Sequence, residues 1–393
     1  MLTIDQSPEI GVRAVDASRG TQNSTVNAQW ATRPDDQKFL SLEALAAHVE
    51  HNRAVRHAHV LNTRDLKIIA DKADSEKLLF ARHGGTLELN PTNWAFGQAC
   101  TMAGAPAGYL RKLPAFLSGV NLQYGLATNR EDVRAYYDME KSELLALTSP
   151  EYGRIHDSSI VQAVQHMTAR QPQWKVPGVM DWKTSTYNPY VDVTKDTTTL
   201  FASDRDVFMF LVDDTHPIEI GKLSNGEPDY IFRGFYAWNS EVGAKTAGIA
   251  SFFLRGVCQN RNLWGVENFT EIKIRHTKYA ANRWLREAIP ALAQYANASP
   301  SRLLEGINNT KSAIVATDGK EGMKFLTETA GLTKPVAAKV LETCLREECH
   351  EATSVWDMCQ GITATARAVV HQDARLDLEA VAGRLMKRAA GKV

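Results

Sequence analysis

Alternation of apolar and polar positions is clearest across residues 197–238. Apolar runs at 197–202 and 207–212 flank Ser203-Asp204-Arg205-Asp206, and runs at 217–222 and 229–238 flank a Ser-Asn-Gly-Glu-Pro turn. Asn225-Gly226 supplies the positive φ that a tight hairpin turn requires. Both pairs therefore predict antiparallel strands. Residues 133–137 and 143–147, separated by DMEKS, predict a further hairpin. The small-residue run 245–257 predicts a helix and 270–276 another strand, which together give a β-β-β-α core.

Helical spacing marks most of what remains. Ser41 is placed to cap a helix over 40–51, and Thr92 or Asn93 opens one after Asn90-Pro91. Pro106 starts a short helix and 116–128 a longer one. Asp157 or Ser158 caps a helix carrying Ile160, Val161 and Val164. Residues 278–386 read almost wholly helical, with breaks at Pro290, Ser299-Pro300, Asp318-Gly319, Gly331-Leu332-Thr333, Thr353-Ser354 and Asp373. The expected fold class is α+β, a short central antiparallel sheet with a C-terminal helical bundle. Residues 1–38 lack a period and read as a flexible arm, 39–296 as the α+β domain and 297–393 as the helical one.

Composition narrows the setting. At 393 residues and 44% hydrophobic content, the chain is long enough for more than one core. No apolar run approaches the ~18–20 residues of a membrane span, so no membrane partner is expected. The opening MLTIDQSPEIGVRAVDASRG has neither a basic nor an apolar signal region. Five scattered cysteines fit free thiols in a reducing cytoplasm.

Charge is balanced overall, 45 cations against 45 anions, yet residues 231–286 hold nine Lys or Arg against three Asp or Glu. Such local excess suits a polyanion and equally a solvated structural face. Phe232, Phe235, Tyr236 and Trp238 occupy both faces of one expected strand. One face meets the core; the other is either an exposed stacking platform for bases or buried as well. Arg233 alternates with these rings, Lys245 opens the expected helix, and Arg255, Gln259, Asn260, Arg261 and Asn262 gather at its end. Guanidinium groups match phosphate oxygens bidentately, and side-chain amides reach phosphates or base edges. Lys273 and Arg275 share one strand face by period two, opposite Ile272 and Ile274, and Lys278 continues the positive surface. Two cations side by side on a strand favour an anion between them.

The expected partner is single-stranded DNA or RNA, bound by a homo-oligomer without cofactor or metal. A rival places Asp213, Glu271 and Lys273 in a metal-dependent nuclease, and a third reading is a modulator of host defence or replication acting through protein contacts. His51, His57, His59 and His83 fit no zinc spacing, Cys258 has no partner by spacing, and phosphate-loop and nucleophile-elbow motifs are missing, so no catalytic residue is assigned.

The stretch NSEVGAKTAGIASFFLRGVCQN with its downstream Arg-x-His ending resembles the centre of a phage- and plasmid-encoded family of unknown function. Asn239-Ser240, Arg255, Cys258, Asn260, Arg275 and His276 occupy that family's signature positions, and LTSPEYGRIHDSSIV and SVWDMCQGITATARA are also similar. Gln259 and Arg261 stand where a Ser-Asn-Gly run is common. The resemblance implies mobile elements, the cytoplasm and DNA transactions. It adds Asn239 and His276 to the candidate residues. The expected β-β-β-α order is also similar in architecture to Rad52- and RecT-like single-strand annealing proteins.

Overall fold

The computed structural model describes residues 14–16 and 33–389 apart from internal stretches, the longest being 182–185, 188–192, 256–260, 263–270 and 368–377. Helix α1 (Leu42–Val55) opens where the Ser41 side chain accepts from the Ala44 amide, and it buries Leu42, Leu45 and Val49. Strands β1 (Arg56–Asn62), β2 (Leu66–Ala70), β3 (Leu78–Arg82) and β4 (Glu88–Pro91) follow. Next come α2 (Asn93–Met102), capped by Thr92, the short α3 (Ala107–Leu110) and α4 (Ala115–Asn129). The hairpin expected over 133–147 is β5 (Asp132–Asp138) with β6 (Glu143–Thr148). These six strands form one sheet in the order β1-β5-β6-β4-β3-β2, in which only β4 and β6 run parallel. Its core gathers Leu66, Phe80 and Leu147 from the sheet with Ala99, Leu122 and Leu126 from α2 and α4.

Helix α5 (Asp157–Arg170) leads to a second, central sheet. Its main strands are β7 (Leu200–Ala202), β8 (Val207–Lys222), β9 (Pro228–Asn239), β10 (Ala247–Arg255) and β11 (Glu271–Ile274). They pair antiparallel in chain order, and Lys38–Phe39 adds to the edge of β7. The fold class is thus α+β. Two local expectations change. Within the run 245–257, Ala247–Arg255 is strand β10 and not a helix, so the core reads as the five strands β7 to β11 and then a helix. The runs 207–212 and 217–222 are one 16-residue strand, β8, carried past Pro217 by a register shift between Asp213 and Ile218.

The two faces of this sheet differ. On one, Leu200, Met209, Leu211, Phe235, Ile249 and Ile274 meet α1, α5 and the helix that begins at Ala280. Helix α6 starts at Ala280–Arg283, passes a π turn at Trp284–Ala288 and continues as Ile289–Ala296. Pro290, expected to break it, sits just after the π turn, the kind of irregularity by which a helix continues past a residue that cannot donate. The other face is aromatic: Phe201, Phe208, Phe210, Phe232, Tyr236 and Trp238 form a separate buried cluster.

Helices Ser301–Ser312, Gly319–Lys324, Lys334–Glu348 and Val355–Arg367 make up the C-terminal region. Their core, with Leu326, Val340 and Trp356, also takes in Ile218 and Ile220 of β8 and Ile231 of β9. The Lys311 ammonium donates to the Ile220 carbonyl at this contact. At the other end of the chain, Arg33 pairs with Asp206 and Lys38–Phe39 joins the sheet, so the last residues of the expected arm are fixed to the core. Ala14–Asp16 pairs with Val179–Asp181, and the rest of 1–32 lies outside the described residues. Among the described residues no helix is long and apolar enough to cross a membrane.

Candidate functional site

Strand β9 ends in Asn239, and the turn after it is built by Ser240. Its hydroxyl donates to the Arg205 carbonyl at 2.6 Å and accepts from the Ala244 amide at 2.9 Å. This turn carries Glu241 into the junction between the two sheets. One carboxylate oxygen accepts from the Tyr136 hydroxyl at 2.6 Å and from Arg56 Nη1 at 3.2 Å. The other lies 3.1 Å from His156 Nδ1 and accepts from the Asp157 amide at 2.9 Å. That amide belongs to the first turn of α5, so Glu241 supplies negative charge to the positive end of a helix remote in sequence. A carboxylate offers about four acceptor positions. All four are taken by protein donors, which leaves none for a metal or substrate.

Burial alone pushes the Glu241 carboxyl up, but the His156 hydrogen bond, the Arg56 charge and the Tyr136 hydroxyl outweigh it and hold the group at about 2. Asp157 beside it moves the other way, raised by burial and by the Glu241 charge despite a hydrogen bond from Asn239. One carboxylate is thus firmly ionised while its neighbour resists ionisation.

The surrounding shell contains Asn239, Ser240, His276 and residues 152–157, part of the stretches on which the resemblance was drawn. Asn239, fully buried, donates to the Ile155 carbonyl at 2.8 Å and to Asp157 Oδ1 at 2.7 Å. The Arg154 guanidinium lies 3.8 Å from the Tyr136 ring centroid and donates through Nε to the Glu241 carbonyl. Tyr152 donates to the Ser240 carbonyl and stacks on His276, ring centroids 4.8 Å apart. Burial lowers the His276 pKa, and its Nδ1 lies 3.2 Å from the Gly153 carbonyl. Residues 152–157, 239–241 and 276 therefore meet in one place, as a structural joint.

Gly153 shows how close this joint is. A Cβ there would stand 1.9 Å from the Thr277 carbonyl oxygen, a backbone atom with no room to yield. Gly153→Ala is expected to destabilise the fold by about 1–3 kcal/mol through overpacking. A chemical denaturation midpoint equal to wild type would refute that closeness.

Several sequence candidates are buried or held in ion pairs within the fold. Tyr236 and Trp238 are each only 8% exposed and stack on one another at 5.2 Å, so they are not an open platform. The Trp238 ring also covers Gly248, where a Cβ would stand 2.3 Å from a ring carbon. Arg233 is buried and binds Asp213 Oδ2 through Nη2 at 3.0 Å. Lys245 pairs with Asp206 at 2.8 Å, beside Arg33. Together these residues line an open cleft of about 400 Å³, in which Asp204 and Asp206 offset the cations. The Asp213 of the nuclease reading is fully buried and closed by Arg233, Thr215 and His216. Among the described residues no His, Cys, Asp and Glu group has metal-binding geometry.

What stays outward is a ridge at the sheet edge. Lys273 and Arg275 are exposed while Ile274 is buried, the alternation expected of β11. In register, Lys273 stands opposite Gly248, which is itself opposite Trp238, so the row runs along the aromatic side of the sheet. Lys278, Tyr279 and Arg286 continue the exposed surface into α6, whose Ala280 and Trp284 turn inward. Lys278 lies 3.7 Å from Glu151 across an exposed gap, a contact worth little in water. Tyr279, 64% exposed, is an open aromatic beside the cations that the strand pattern did not single out. Its signal was the placement of Tyr next to Lys278 in a turn. Asn260 lies outside the described residues, as do the side chains of Arg255 and Arg261.

Comparison with protein-family models, with curated proteins and with solved structures finds no match.

Proposed function

We propose that this protein binds single-stranded nucleic acid along β11 and the start of α6, as a cytoplasmic annealing or recombination factor of a phage or plasmid. The supporting observation is the exposure of Lys273, Arg275, Lys278, Tyr279 and Arg286 in one stretch whose Ile274, Ala280 and Trp284 turn inward. Neighbouring exposed cations suit a phosphate backbone, and an open tyrosine among them suits a base. The phage or plasmid setting rests on the resemblance of residues 239–276.

The reading is tested by fluorescence anisotropy with single-stranded oligonucleotides over a salt series. Each phosphate neutralised contributes about −0.7 to the slope of log affinity on log salt. Arg275→Ala and Lys278→Ala are each expected to make the slope shallower by about that amount and to weaken all sequences alike. Tyr279→Ala is expected to cost about 1–3 kcal/mol of binding with the slope unchanged. Its ring is open to solvent, so folding is not at stake. Wild-type protein that binds neither DNA nor RNA at low salt would end this reading. So would a Lys273, Arg275 and Lys278 triple alanine variant with unchanged affinity and slope.

A further inference from the structure

Helix α4 buries Ala115, Ser118, Gly119, Leu122 and Leu126 against the six-stranded sheet. Its opposite face is apolar too. Phe116 is 68% exposed, Val120 52% and Tyr124 77%, with Leu117 beside them and Tyr109 of α3 continuing the stripe. None of the helix's residues is charged. The two polar side chains on that face turn back on the helix itself: Asn121 Nδ2 donates to the Leu117 carbonyl and Thr128 Oγ1 to the Tyr124 carbonyl, both at 2.8 Å. A face meant for water has no need of this. One meant for an apolar partner does, since polar groups buried without bonds are costly.

The ends of the stripe differ in charge. Arg111 and Lys112 are exposed just before α4, and Arg130, Glu131 and Asp132 are exposed just after it. The first end is positive and the second carries net negative charge. We propose that this face docks on the same face of a second copy of the chain, the two α4 helices lying antiparallel about a two-fold axis near Val120. A two-fold axis sets each end of the stripe against the opposite end of its partner. Lys112 of one copy then faces Glu131 of the other, whereas a parallel arrangement sets like charges together. The i, i+4 row Phe116, Val120 and Tyr124 supplies a ridge for the partner's groove. Three aromatic and two aliphatic side chains at this exposure represent on the order of 500 Å² of apolar surface per copy. Doubled, that is roughly the 1,000 Å² at which specific interfaces begin. The proposal is independent of nucleic-acid binding.

Sedimentation velocity over a concentration series tests it on the full chain. Wild type is expected to be a dimer, and Tyr124→Glu to raise the dissociation constant ~30-fold or more, as loss of a central aromatic contact does. Melting measured at a concentration low enough for both proteins to be monomeric should be unchanged, because Tyr124 is exposed in the single chain. Lys112→Glu is expected to weaken the dimer, and adding Glu131→Lys in the same chain to restore it. Val120→Cys is expected to give an oxidised dimer whose disulfide peptide joins two copies of position 120. A monomer at the highest soluble concentration overturns the proposal. So does a dimer indifferent to Tyr124→Glu, or binding to lipid vesicles by a chain that stays monomeric.

Discussion

Glu241→Gln is expected to destabilise the protein by about 3–5 kcal/mol at neutral pH, the cost of leaving a buried charge without its partner. Arg56, whose side chain is 5% exposed, loses the anion 3.2 Å away and keeps only the more distant Asp138 at 3.8 Å, and the new amide brings donors to a place already filled by donors. Equilibrium denaturation at pH 7 measures the loss, and a shift below about 1 kcal/mol would contradict the joint described above. The pH dependence has a definite sign. The folded-state Glu241 carboxyl sits at about 2 against an ordinary 4.5, so its contribution is fully present above 4.5 and is lost as pH falls toward 2. The gap between wild type and variant should therefore be constant near neutrality and close in acid. Asp157 has the opposite sign, because its pKa is raised on folding: its protonated form is favoured, and stability is lost as pH rises. Asp157→Asn keeps an oxygen for Asn239, removes that penalty and should be far milder than Glu241→Gln.

Arg233→Met should cost a similar 3–5 kcal/mol, with binding and folding failing together. Asp213 and Arg233 face each other across β8 and β9, and the carboxylate has no exposed surface. The guanidinium also lies 5.6 Å from the Trp174 ring centroid. His216 touches the same carboxylate, but its own side chain is 64% exposed and is a poor substitute for a buried cation. Arg233→Lys keeps the charge without the planar fork and should recover part of the loss. A ligand-binding arginine behaves differently: its variant melts like wild type and loses affinity alone. Thermal melts and anisotropy on the same preparation separate the two cases, and a normally stable Arg233→Met protein would sink the structural role.

Elements whose partners lie nearby in sequence were readable from the residues. Ser41 and Thr92 cap helices as their chemistry dictates, the 133–147 hairpin forms, and Lys273 of β11 and Arg275 just after it are both exposed. Strand β10 was not readable. Its Ala-Gly-Ile-Ala-Ser opening has no period of two because the strand is covered on both faces, with Gly248 small to admit the Trp238 ring. For Tyr236 and Trp238, alternation showed two faces without showing that both are covered, since the cover is not local. Glu241 carried no signal. It is one acid in a turn, and its meaning comes from Arg56, 185 residues away, and Tyr136, 105 away.

Strand β8 runs unbroken from the aromatic cluster at Phe208 and Phe210 to the helical core at Ile218 and Ile220. The helices after residue 300 are therefore not an appendage that can be trimmed from the gene. Cutting them away uncovers Ile218, Ile220 and Ile231 along the end of a long paired ribbon, an apolar strip of the kind that draws chains into aggregates.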